Sequence, residues 1–271
     1  MTSSLLVGFL LSLLSYFLSF RAAPSELSSR GCSGNPVSDL YHGRQLNPSL
    51  TGCNLKLQTF RFSMIGLAVL NLAMVTQSLL ESEGKPNLAV IVTASMQVLY
   101  SMDAMFYEKY YFNSNDFLSS GYGWSLVSSY LTFPFLPTLT TKYVLHLQPQ
   151  PHPAVLLGSC LLNLLGYLIY RSSETQRCEL AMNPSSPDLA DLETCLGLEG
   201  RRLIVSSWWS LVRHPTYLGE LLIQWSWVLP LASSLGLTFL TPYYLAVMTS
   251  AMLMVRCAQT NNRNRRSARK L

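Results

Sequence analysis

Long apolar runs alternate with short polar connectors along this chain. Residues 62–80, 86–102, 117–141 and 153–170 hold no Asp, Glu, Arg or Lys beyond a flanking position. A helix needs roughly 20 apolar residues to cross the hydrocarbon core, so these runs predict membrane helices. Residues 86–102 and 153–170 are at the short end, which implies tilt or partial burial in protein. Residues 221–255 are long enough for two passes, with a break near Ser233-Ser234-Leu235-Gly236. Residues 1–20 read as a first membrane helix. The alternative is a signal-like segment ending near Arg21-Ala22-Ala23, although no Lys or Arg precedes it. The expected fold is all-α: a polytopic transmembrane helical bundle of about six or seven spans.

The polar stretches refine that picture. Residues 21–57 contain Gly31, Gly34, Pro36, Gly43 and Pro48 and are expected to be irregular. Lys85-Pro86 marks a turn, and the segment from Tyr107 to Asn115 is an aromatic, polar connector suited to the interface. Pro134 and Pro137 should kink or break the third run. Between Arg171 and Arg202 lies the largest polar insertion, with Asn183-Pro184-Ser185-Ser186-Pro187 as a turn-rich stop. Residues 203–212 are apolar but too short to span, and predict a short helix in the interface. The membrane domain then covers residues 58–256, followed by a basic tail at 257–271.

Composition agrees with a membrane protein: 49% of the 271 residues are hydrophobic and 12% charged, against about 25% charged in soluble domains. The net charge of +5 is concentrated. Arg256, Arg263, Arg265, Arg266, Arg269 and Lys270 end the chain with no acid among them, while Arg171, Arg177, Arg201, Arg202 and Arg213 mark the preceding loop. Positive-inside bias puts both in the cytosol. Anionic lipid is the expected contact of such a tail, and direct nucleic-acid binding is not expected. The six cysteines are scattered without a CxxC, which gives no zinc signature.

Two clusters carry candidate chemistry. Tyr100, Asp103 and Tyr107 share a helix face at spacings of three and four, with Glu108 beside them. A carboxylate facing the interior of a membrane bundle is a functional candidate, though one at a helix end is also simply hydrated. The second cluster is the run Trp208-Trp209-Ser210-Leu211-Val212-Arg213-His214-Pro215-Thr216-Tyr217-Leu218-Gly219-Glu220, with Arg171, Arg177 and Arg256. Each of these residue types also anchors helices at a membrane boundary, but anchoring does not require this density. Arginine binds phosphate through forked donors, and neither GxGxxG nor a Walker loop is present. A nucleotide would therefore lie between helices on the cytosolic side.

Taken in order, these motifs resemble the sterol C14-reductase / lamin B receptor family. The resemblance is carried by Gly43-Arg44-Gln45-Leu46-Asn47-Pro48, Leu99-Tyr100-Ser101-Met102-Asp103-Ala104, Gly166 to Arg171, Gln176-Arg177, the Asn183–Pro187 turn and the Trp208–Glu220 run. It implies a multi-pass protein of the endoplasmic reticulum or inner nuclear membrane that reduces a sterol ring double bond with NADPH. In that family a protein acid protonates the alkene and the nicotinamide delivers hydride. Arg177 stands where the family has a cofactor-binding Lys. Arg171, Trp208, Arg213, His214, Tyr217, Glu220 and Arg256 fall around the implied cofactor site, and Tyr100, Asp103 and Glu108 are the candidates for proton delivery.

Several positions depart from the family pattern. Ala181 replaces a second cofactor arginine, Thr260 an aspartate implicated in catalysis, and Ser119-Ser120 a His-Asp pair. Pro137-Thr138-Leu139-Thr140 replaces a Tyr-Ser-Leu-Gln, and the family's C-terminal elements do not follow Arg256. Loss of a general acid costs about 10²–10⁴-fold in rate, so weakened turnover is one expectation. A non-catalytic lamin B receptor-like protein of the inner nuclear membrane, with a nuclear lamina contact, is a second. A membrane methyltransferase of the isoprenylcysteine type is a third, because Arg213-His214-Pro215-Thr216-Tyr217-Leu218-Gly219 also resembles that signature.

Overall fold

A computed structural model describes residues 2–28, 31–50, 52–85, 87–112, 117, 120–183, 185–189, 191–196, 202–233, 247, 250, 251 and 254. The described part is all-α apart from two short hairpins. Four of its helices are long and apolar enough to cross a membrane: Thr2–Arg21, Leu55–Glu81, Leu88–Phe106 and Pro153–Met182. The helices are α1 (Thr2–Leu18), α2 (Pro36–His42), α3 (Leu55–Glu81), α4 (Leu88–Phe106), α5 (Glu108–Phe112), α6 (Trp124–Thr132), α7 (Phe135–Leu147), α8 (Pro153–Met182), α9 (Trp208–Leu211) and α10 (Pro215–Val228). The chain divides into two compact units. One comprises Met1–Pro86 with Gln97–Lys142; the other comprises Asn87–Met96 with Tyr143–Leu271.

In the first unit, α1, α2 and α3 each pack against α6. The Asn54 side chain caps α3 by accepting from the backbone N–H groups of Lys56 and Leu57, and Asn35 caps α2 through Val37 N–H. The uncharged run at 117–141 is broken into α6 and α7 around Phe133-Pro134, where proline removes a helical donor. A polar network joins three helices inside this unit. Asn71 Nδ2 donates to Gln97 Oε1 at 2.9 Å and Thr141 Oγ1 donates to Asn71 Oδ1 at 2.7 Å. Gln97 Nε2 donates to Thr140 Oγ1 at 2.8 Å and to the Pro137 carbonyl at 2.9 Å. Asn71, Gln97 and Thr141 are wholly buried. Satisfying each amide inside apolar surroundings is what makes such burial tolerable.

The 21–57 stretch is more ordered than its glycines and prolines predict. It contains α2 and an antiparallel hairpin pairing β1 (Ser49–Leu50) with β2 (Cys53–Asn54). Its backbone also forms a lock, within itself and with the segment at Tyr122. Ser28 N–H donates to Arg44 O at 2.6 Å, Leu46 N–H to Glu26 O at 2.8 Å, and Tyr122 N–H to Gln45 O at 2.8 Å. Asp39 on α2 accepts from both the N–H and the Oγ of Ser33, each at 2.7 Å. Burial raises the Asp39 carboxyl pKa, but the Ser33 and Gly34 hydrogen bonds and the Arg44 charge together outweigh it and leave it below the ordinary value.

In the second unit α8 packs along α10. At 1.5 Å per residue its 30 residues span about 45 Å, against a hydrocarbon core of roughly 30 Å. The surplus carries the helix past Tyr170 to Met182, so the charged segment from Arg171 onward is rigid helix rather than loop. Residues 203–212 differ from the expected interfacial helix. Arg202–Ile204 forms a strand, β4, paired antiparallel with β3 (Thr194–Leu196), and only Trp208–Leu211 is helical. The expected second pass and break near Ser234-Leu235-Gly236 lie outside the described residues, as does the basic tail.

Candidate functional site

The polar end of α8 is held against α9 and the first turn of α10. The crossing point is set by two glycines: a Cβ on Gly219 would lie 2.5 Å from Tyr170 N, and one on Gly166 would lie 2.9 Å from Gly219 O. Helices meet this closely only where side chains are absent. The approach brings Ser173 Oγ to Thr216 Oγ1 at 3.3 Å and Gln176 Nε2 to Ser207 Oγ at 3.4 Å. His214 precedes Pro215 at the α10 N-terminus, and its ring stacks on Tyr217 with centroids 5.4 Å apart. Arg171 lies over the Tyr170 ring at 5.5 Å. Glu220 accepts from Gln224 at 3.4 Å.

Arg177 does not face this site as an isolated cation. One of its guanidinium nitrogens donates to Glu174 Oε1 at 2.5 Å, and Cys178 Sγ lies 3.6 Å from the same oxygen. Glu174 is buried at 6% exposure, and its Oε2 has no hydrogen-bond partner among the described residues. Gln176 Oε1 and Trp209 Nε1 are also buried without partners among those residues. Native structures leave few such atoms unsatisfied, and each calls for an explanation. These atoms lie on α8 and α9, the segments that also carry Arg171, Arg177 and Trp208, and a polar ligand is one partner that would satisfy them. Guanidinium groups bind phosphate, acceptors bind ribose hydroxyls, and indole and phenol faces stack on rings. That donor set matches a dinucleotide.

The second unit carries Arg171 and Arg177 on α8, Trp208 on α9, and His214, Tyr217 and Glu220 at the start of α10. Arg213 lies on the same segment but is exposed. Arg256 lies outside the described residues, as do Arg201, Ser119 and Thr260. The proton-delivery candidates belong to the first unit. Tyr100 and Asp103 are partly buried on α4. Glu108, on α5, forms a fork with Arg61: Nε to Oε2 at 2.9 Å and a second nitrogen to Oε1 at 2.6 Å. The Arg61 hydrogen bond holds the Glu108 carboxyl below its ordinary pKa. This stabilises the ionised form, the opposite of what a proton donor requires.

Glu174 escaped the sequence reading because it sits in the middle of a polar run with no motif of its own. Its spacing of three from Arg177 was the available signal. Lys56 was missed too. It is wholly buried near the start of α3, and its Nζ donates to the carbonyls of Phe117 and, at 2.7 Å, Ser120.

Comparison with known proteins bears on the same residues. The sequence profile described as "Ergosterol biosynthesis ERG4/ERG24 family" matches residues 1–267. The chain is 38% identical to Delta(14)-sterol reductase TM7SF2 of Mus musculus over 257 residues, covering 94% of this chain and 60% of that protein. It is 31% identical to Delta(14)-sterol reductase LBR of Gallus gallus over 252 residues, covering 92% of this chain and 39% of that protein. A Delta(14)-sterol reductase of Arabidopsis thaliana is 29% identical over 217 residues, covering 80% and 58% respectively. The chain thus spans at most 60% of the length of these three relatives.

Proposed function

The chain belongs to the ergosterol biosynthesis ERG4/ERG24 family, and from that premise we propose that it reduces the C14 double bond of a sterol. The hydride donor is a reduced nicotinamide dinucleotide, in the form NADPH by the family resemblance. The protein acts as a multi-pass protein of the endoplasmic reticulum or inner nuclear membrane. The observation that carries this reading lies at the polar end of α8, a helix long enough to span: guanidinium groups, the stacked His214 and Tyr217 rings, and buried polar atoms without partners among the described residues.

The reaction adds one proton and one hydride across a carbon–carbon double bond, so charge and atoms balance. When bound, the dinucleotide supplies the hydride. Arg171 and Arg177 bind its phosphates, Trp208 and Tyr217 offer ring faces, and His214 and Glu220 hold polar groups at the mouth of α10. Asp103 and Tyr100 deliver the proton to the alkene. Glu108 stays ionised and orders α5 against Arg61.

The test is sterol product formation by the detergent-purified chain supplied with a C14-unsaturated sterol and reduced cofactor. The expected result is a product two hydrogens heavier, with turnover rising about tenfold or more in Thr260→Asp, since a general acid contributes 10²–10⁴-fold. Monodisperse protein that yields no product in either form overturns the assignment.

A further inference from the structure

We propose that Ser207 is a positioning residue: the glycine-like turn it makes sets Trp208 and the rest of α9 against the polar end of α8. The inference rests on the dinucleotide reading above and deepens it.

The backbone of Ser207 has φ +57° and ψ −136°. That is close to the mirror image of the extended polyproline conformation, a region that glycine enters freely and a residue with a Cβ rarely does. Among the described residues two other non-glycine positions have positive φ, Glu83 at +51° and Gln148 at +41°. Each follows the last turn of a helix, α3 and α7 respectively, where a left-handed residue is an ordinary way to end it. Ser207 instead stands at the start of a helix, where extended backbone of negative φ is the rule. Its side chain is exposed, so core packing does not demand a Cβ there.

The surroundings fix this turn from three sides. Before it, Val205 N–H donates to Glu193 O and Glu193 N–H donates to Ser206 Oγ, each at 3.0 Å, which ties the chain to the β3–β4 hairpin. After it, Trp209 N–H donates to Ser206 O and Ser210 N–H to Ser207 O, each at 3.2 Å, and the Ser210 hydroxyl donates to Ser207 O at 2.7 Å. From α8, Gln176 Nε2 donates to Ser207 Oγ at 3.4 Å. Sparsely populated backbone persists only where neighbouring contacts over-determine it, and it collects where geometry serves function. Here it falls one residue before Trp208, whose ring face is assigned to the dinucleotide. The short helix that begins there packs against both α8 and α10. Forcing position 207 to negative φ re-aims the peptide that enters α9, and the Trp208 indole with it.

Two variants separate the turn from the hydroxyl. Ser207→Gly loses the hydroxyl and keeps the turn. Ser207→Val loses both, because a β-branched residue at positive φ is an outlier. Parent and variants are purified as full chains in detergent and read by isothermal titration with NADPH and by thermal unfolding. Ser207→Gly is expected to melt about 2–4 °C above the parent, since relief of strain exceeds the entropy that glycine returns to the unfolded chain. It should bind NADPH at least as tightly. Ser207→Val is expected to bind at least about tenfold more weakly while melting within about 4 °C of the parent. Parent-like NADPH affinity in Ser207→Val overturns this proposal and leaves the cofactor site standing. So does weakened binding in Ser207→Gly, which assigns the effect to the hydroxyl, or a Ser207→Gly midpoint no higher than the parent's, which removes the strain. A Ser207→Val protein that fails to fold, or melts further below the parent than that margin, reports a merely structural joint and also overturns it. No NADPH binding by folded, monodisperse parent protein overturns the cofactor site itself, and this inference with it.

Discussion

In the first unit, loop backbone crosses loop backbone; in the second, helix crosses helix. Both crossings exclude side chains, yet they constrain the sequence differently. At the first, a Cβ on Gly31 or on Gly121 would lie 1.9 Å from Gly43 O, and one on Gly123 would lie 2.2 Å from Gly43 N. Gly43 itself has φ +80°, a conformation that side-chain-bearing residues rarely adopt. At the second crossing Gly166 and Gly219 have ordinary helical backbones, and only the space between α8 and α10 is at issue. Steric crowding between two helices relaxes when they move apart. A loop lock held by hydrogen bonds on both sides, with a glycine-only conformation at its centre, has no such escape.

Four tests bear on that contrast, in decreasing order of effect, with the two helix-crossing glycines forming one of them. Gly43→Ala should be the most damaging, because it combines a forbidden φ with a Cβ 2.2 Å from Gly123 N. We expect a loss above about 3 kcal/mol, seen as failure to recover monodisperse protein. A yield like that of the parent would show that the lock is not required. Gly219→Ala comes next, at up to about 2 kcal/mol. Overpacking costs 1–3 kcal/mol, and the propensity gain of about 1 kcal/mol from alanine partly offsets it. Thermal unfolding in detergent measures it, and cofactor affinity should fall with it because the same crossing holds Tyr170 against Gly219. Gly166→Ala, with a closest approach of 2.9 Å, should cost less than Gly219→Ala; the reverse order would mean that α10 rather than α8 is the element that yields.

Asn71→Ala is the third test. It leaves Gln97 and Thr141 short of a partner, for an expected cost of about 1–2 kcal/mol in melting experiments. An unchanged melting point would show that the network is decoration within the first unit. The smallest effect belongs to pH and the Arg61–Glu108 fork. The folded Glu108 carboxyl titrates below its unfolded counterpart. Its contribution is therefore intact above the ordinary carboxylate pKa and drains away as the pH falls through the lower folded value. Glu108→Gln should remove a small part of the acid sensitivity below the ordinary carboxylate pKa and leave neutral-pH turnover nearly unchanged. A collapse of turnover at neutral pH would instead return Glu108 to the catalytic apparatus.

Several features were legible before any coordinates. Charge-free runs near twenty residues predict spanning helices because the bilayer sets a minimum apolar length, and α1, α3, α4 and α8 follow them. Pro134 predicts the break between α6 and α7 because proline lacks the donor a helix needs. The motif order from Gly43 to Glu220 identifies the family, and Arg171, Arg177 and the Trp208–Glu220 run single out the proposed site, since clustered arginine and aromatic residues stand out against 12% charge overall. Other features depend on which distant segments touch. Composition shows Gly43 and Gly121-Tyr122-Gly123 as separate breakers, and only the folded chain threads one through the other. Residues 203–212 are apolar enough for a helix, but pairing with Thr194–Leu196 makes their first part a strand, because a hydrogen-bonded partner outweighs weak local propensity. Glu174 reads as one more charge in a polar run. Its burial and its hold on Arg177 arise only once α8 is packed, because desolvation and partner choice belong to the tertiary contact and not to the residue.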